Sequence, residues 1–150
     1  MYFDRINKTI CALATSSGSS IGIIRISGKD SFKIASSVCN VRSFEHMKAR
    51  LVSIKDHGKT LEKCLMLPFK SPKSFTGEDV VELHIHGSNK NGEEIISFLL
   101  EKGAVLALRG EFSFRAVLNS KMELTQALAL NTLITSSNPV SIELSRKAAF

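Results

Sequence analysis

The period of the hydrophobic pattern changes several times along the chain, and each change marks an element. TICALAT (9–15) alternates and predicts a strand; the small, flexible SSGSS (16–20) predicts a turn; IGIIRISG (21–28) predicts a second strand, ended by Gly28. DSFKIASSVC (30–39) switches to helical spacing, with Asp30 placed to cap it and Phe32, Ala35, Val38 and Cys39 on one buried face. ARLVSIKDHGKTLEKCLMLPF (49–69) predicts a hairpin turning at DHGK, and DVVELHIH (79–86) another strand. In NGEEIISFLLEKG (91–103), Ile95, Ile96, Leu99 and Leu100 form an apolar stripe, with Glu93 and Glu94 in the first turn and Lys102 with Gly103 closing the helix. AVLAL (104–108) predicts a last strand. Beyond it, FSFRAVLNSK and ELTQALALNTLITS are helical, and SSNP (136–139) separates them from a final helix with Asn138 as cap and Pro139 at its first position. The sum is an α+β chain: a mixed β-sheet with flanking helices over 1–119, then the first helices of a helical domain over 120–150.

Two of these strands carry polar residues where an apolar face is expected. Side chains alternate across a strand, so Val81, Leu83 and Ile85 face a core while Val80, Glu82, His84 and His86 face the other way. On 21–28, Ile24 and Ile26 share one face, and Arg25 stands with Ile21, Ile23 and Ser27 on the other. A charge among isoleucines is costly without a partner. Arg25 therefore reads either as half of a structural ion pair, with Glu82 the natural partner, or as an anion-binding group at a pocket wall. Glu82, His84 and His86 admit three readings: a solvated polar face, a metal site built on His-x-His, or a pocket in which a carboxylate accepts two parallel hydrogen bonds from an amino-pyrimidine edge.

Other features narrow the function less. HGKT (57–60) imitates the end of a phosphate-binding loop, but Ser53 stands where the pattern needs glycine. The 150 residues, 43% hydrophobic and 23% charged, suit one ordinary domain with a real core. A net charge of +6 favours anionic partners, although the lysines are scattered. Cys11, Cys39 and Cys64 form no CxxC or zinc spacing and fit small core residues of a reduced protein. With no signal segment and no apolar run near membrane length, a soluble, cytoplasmic protein with no membrane contact is expected.

Three runs, in order, carry a resemblance: TICALATSSGSSIGIIRISG, SFTGEDVVELHIHGS and RGEFSFRAVLNSKMELTQALA. Together they resemble the N-terminal region of the tRNA-modification GTPase family of the MnmE/TrmE type, over essentially the whole chain. The resemblance implies a folate-binding domain that mediates homodimerisation, akin to the one-carbon folate domains. It implies 5-formyltetrahydrofolate or 5,10-methylenetetrahydrofolate as the one-carbon source, bound near the dimer interface, and a flavin-dependent partner protein. Together such proteins add an aminomethyl or carboxymethylaminomethyl group at C5 of the wobble uridine of tRNA. Three folate-contacting positions carry over: the arginine of GIIRISG is Arg25, the second glutamate of GEDVVE is Glu82, and the lysine of LNSK is Lys121. On this basis Glu82 would meet the pterin's amino-pyrimidine edge and the two cations its carbonyls or glutamate tail, with His84 and His86 in supporting roles.

The sequence departs from the family's pattern in places. Ser16-Ser17-Gly18 stands for Pro-Pro-Gly, Gly87-Ser88 for a glycine pair, Arg109-Gly110 for Pro-Gly, and Leu128 for an acid. None falls on the three carried positions, and Ser88 can still cap the following helix. The family's GTPase domain, which would hold GTP, magnesium and potassium, has no counterpart in the chain. Alone, the chain is expected to bind folate and to dimerise, not to hydrolyse GTP or modify tRNA.

Overall fold

The computed structural model describes residues 2–16 and 18–150, with the side chains of residues 2 and 3 left aside. Ser17, in the predicted SSGSS turn, lies outside the described residues. The elements run α1 (Tyr2–Ile6), β1 (Ile10–Leu13), β2 (Ile21–Ser27), α2 (Ser31–Cys39), β3 (Arg50–Asp56), β4 (Lys59–Phe69), β5 (Val80–His86), α3 (Asn89–Glu101), β6 (Val105–Leu106), α4 (Glu111–Leu118), α5 (Leu124–Thr135) and α6 (Pro139–Ala149). The strands form one six-stranded sheet in the order β3-β4-β5-β2-β1-β6. All neighbours are antiparallel except β1 and β6, so the sheet is mixed and the chain is α+β, as the pattern predicts.

One sheet face is dry. Cys11, Ile24, Ile26, Val52, Ile54, Cys64, Met66, Val81, Leu83 and Ile85 meet Ile34, Ala35 and Val38 of α2 and Ile95, Phe98 and Leu99 of α3. All three cysteines sit in this layer, and burial pushes the thiols of Cys39 and Cys64 up to about 12, which makes them packing groups. The opposite face is only partly covered. Direct cross-strand neighbours share a face, so the row Leu51, Leu65, His84, Ile23 crosses it, with Leu51 73% and Leu65 41% exposed.

Local chemistry decides where elements start and stop. Ser88 Oγ accepts from Asn91 N at 3.1 Å, so α3 begins at Asn89, ahead of the expected start. Its first turn therefore lacks Glu93 and Glu94, and Phe98 joins the buried stripe while Leu100 stays exposed. Asn138 Oδ1 accepts from Val140 N at 2.9 Å and Pro139 opens α6, as predicted. Asp30 precedes α2 but makes no capping bond; its backbone sits at φ −99°, ψ 10°, not in the extended region a capping side chain needs. The hydroxyl of Ser31 instead bonds the carbonyls of Gly28 and Asp79, tying the end of β2 to the start of β5. At Gly28, φ is +136° and a Cβ would lie 2.7 Å from Thr9 Cα, so only glycine fits. The last strand shrinks to Val105–Leu106, the stretch that β1 can pair.

Candidate functional site

Arg25 and Glu82 are direct partners in the β2–β5 ladder, on the partly covered face. Arg25 Nε and Nη2 both donate to Glu82 Oε1, at 3.0 and 2.8 Å. The ion-pair alternative raised by the sequence is thus realised, with the two side chains 23% and 14% exposed. His84 Nε2 stands 3.3 Å from the other carboxylate oxygen, Oε2. Two rings face the guanidinium: Arg25 Cζ lies 5.2 Å from the centroid of Phe75 and 5.4 Å from that of Phe112. A half-buried carboxylate beside a cation and two aromatic faces suits a flat, hydrogen-bonding heterocycle.

Both rings come from segments held by a buried charge network. Phe75 belongs to the connection before β5, and Phe112 lies in the first turn of α4. One turn further along α4, Arg115 is 2% exposed. Its Nη1 donates to Glu78 Oε1 and Oε2 at 2.9 and 3.2 Å and to Lys8 O at 2.9 Å. Its Nη2 donates to Glu111 Oε1 at 3.1 Å and to Arg5 O at 2.8 Å. Ser27 Oγ donates to Glu78 Oε2 at 2.6 Å and lies 2.8 Å from Thr76 Oγ1. Burial would raise the Glu111 carboxyl, but the Leu108 N–H, Arg5 and Arg115 outweigh it and hold that carboxyl below the usual range.

Lys121 does not join Arg25 and Glu82 directly. Its stem packs over Gly77, where an added Cβ would lie 3.0 Å from Lys121 Cγ, and its ammonium has no hydrogen-bond partner among the described residues. Neighbouring Asn119 donates from Nδ2 to Thr76 O at 2.8 Å. All three sequence-predicted residues therefore border the 75–82 segment, two as a pair and one as a free cation. A cleft of about 410 Å³ opens beside this segment, lined by Ile6, Asn7, Lys29, Glu78, Asp79 and Asn119; neither Arg25 nor Glu82 lines it.

The two histidines separate. His84 leans on Glu82, whereas His86, 84% exposed, has Nδ1 2.9 Å from Glu62 Oε1. Burial would raise Glu62, but His86, Asn91 and the Lys63 N–H outweigh it and draw it below the usual range. With different carboxylates engaged, His84 and His86 do not present one ligand set, and no group of three metal-ligating side chains occurs among the described residues. Sequence reasoning missed Phe75, Phe112, Glu78 and Arg115. The available clue was that both rings and both charges lie inside two of the three runs that carry the family resemblance.

Comparison with known proteins gives the chain's family. Residues 9–121 match the family model described as GTP-binding protein TrmE N-terminus. Proteins named tRNA modification GTPase MnmE are similar across most of the chain. That of Chlamydia felis is 43% identical over 135 residues, covering 88% of this chain and 30% of the relative. That of Flavobacterium johnsoniae is 44% identical over 140 residues, covering 89% and 30%. That of Christiangramia forsetii is 40% identical over 147 residues, covering 93% and 31%. The chain thus spans about 30% of the length of these relatives, and it belongs to the family of TrmE-type GTP-binding protein N-termini.

Proposed function

We propose that this chain is the folate-binding and dimerisation part of a tRNA-modification GTPase, with residues 120–150 opening its helical domain. It binds 5-formyltetrahydrofolate or 5,10-methylenetetrahydrofolate through Arg25, Glu82 and Lys121. The observation that carries this reading is the Arg25–Glu82 pair beneath two phenyl rings on the open sheet face.

Each residue has a definable task. An amino-pyrimidine edge offers two parallel N–H donors, and Glu82 is an acceptor-only group with one oxygen for each. Arg25 and His84 now use those oxygens and would have to yield or share them. Arg25 loses little by doing so: Nη1 has no protein acceptor among the described residues, and its faces stay on Phe75 and Phe112. The released guanidinium and the free ammonium of Lys121 are suited to a ligand's carbonyls or carboxylates. Folate supplies the one-carbon unit when bound; the chain orients it.

The exposed Leu51 and Leu65, neighbours on this face, support dimerisation, because exposed apolar residues on a sheet face call for a second layer. A second copy would also finish a site that is open on this face. In the complete protein the same reading brings in a flavin-dependent partner, the wobble uridine of tRNA, and GTP with its ions on a separate domain. A cytoplasmic setting goes with that activity, and no described helix is long and apolar enough to cross a membrane. Calorimetric titration with each folate, run alongside sedimentation with and without ligand, tests it. Saturable binding and a dimer are expected; a monomer that binds neither folate would overturn it.

A further inference from the structure

We propose that the Glu78–Arg115 ion pair is a positioning device, holding Phe75 and Phe112 against Arg25 so that the site is preformed. The ligand part of this inference rests on the folate reading above; the geometric part does not.

A continuous polar path links the two rings. Phe112 stands three residues before Arg115 on α4, so both lie on one side of that helix. Arg115 grips both oxygens of Glu78, at 2.9 and 3.2 Å. Glu78 receives the Ser27 hydroxyl at 2.6 Å, and that hydroxyl meets Thr76 Oγ1 at 2.8 Å. Thr76 adjoins Phe75, and Ser27 lies two residues beyond Arg25 on the same face of β2. Thr76 and Ser27 are fully buried. Without the pair, the connection carrying Phe75 and the helix carrying Phe112 would be joined mainly through the Asn119–Thr76 bond. A ring on a connection, as Phe75 is, drifts unless such contacts fix it, and a displacement of about 1 Å at a site costs affinity steeply.

The test compares Glu78→Gln with Ile95→Val, a core substitution on the helix-covered face that lowers stability without touching this path. Two readouts are taken on each folded chain: the NMR resonance of the Arg25 Nε–H, which two nearby rings shift, and calorimetric affinity for 5-formyltetrahydrofolate. Glu78→Gln is expected to lose the ring-induced shift and to weaken binding roughly tenfold, the equivalent of one cation–π contact. Ile95→Val is expected to change neither. Ser27→Ala, a milder cut in the same path, should act in the same direction and stands in if Glu78→Gln fails to fold. An unchanged Arg25 resonance in Glu78→Gln, or in Ser27→Ala when that variant stands in, would overturn the proposal. If the unsubstituted chain binds no folate, the folate reading falls, and the resonance alone still decides the positioning claim.

Discussion

Two arginines of this molecule, Arg115 and Arg25, behave in opposite ways. Arg115 is sealed: two carboxylates and two backbone carbonyls take its Nη donors, and it is 2% exposed. Arg25 is under-used: two donors converge on one oxygen of Glu82, and Nη1 has no protein acceptor among the described residues. A saturated buried cation has nothing to offer a ligand, and removing it strands its partners. An unsaturated one at a half-open face can exchange partners at little cost. The difference separates a residue that builds a site from one that works in it.

The widest gap between them should appear on truncation. Arg115→Ala leaves Glu78 without its cation and the buried Glu111 with Arg5 alone, and should cost about 3–5 kcal/mol in urea unfolding. A loss below 1 kcal/mol would place the two arginines in one class. Acid should open the sealed region next. The folded Glu111 carboxyl ionises below its unfolded value of about 4.3, so the unfolded chain binds more protons there. Its contribution is complete above that value and is lost as pH falls through the lower folded one. Urea midpoints should therefore drop steeply below about pH 4, and Glu111→Gln should flatten that slope.

Smaller effects sharpen the contrast at the site itself. Gly77 has φ +79°, and a Cβ there would press on Lys121 Cγ and Asn119 Cβ, each at 3.0 Å. Gly77→Ala should cost about 1–2 kcal/mol, measured by thermal unfolding. The smallest change is expected at the working pair: Glu82→Gln should alter stability by less than about 1 kcal/mol, because the pair is partly solvated.

What the sequence disclosed follows from how local each cause is. Strand alternation exposed Arg25 and Glu82 as misplaced polar residues, because a period of two needs no knowledge of neighbours. Ser88 and Asn138 were readable as caps for the same reason. Arg115 was not: its partners are up to 110 positions away, and within its helix it passes for an ordinary surface cation. Phe75 and Phe112 gain their meaning only when a connection and a helix close over β2. The helix α1 went unread because five residues are too few to show a period, and its carbonyls matter only once Arg115 reaches Arg5. Asp30 misled because its residue type suits a cap while its backbone does not.

The most direct measurement is the calorimetric affinity of the chain for 5-formyltetrahydrofolate beside that of Glu82→Ala, with unfolding midpoints taken on the same samples. Saturable binding that weakens by about two orders of magnitude, the loss expected when a bidentate charged contact is removed, with little change in stability, is the predicted result. Equal affinity in the two proteins would contradict it.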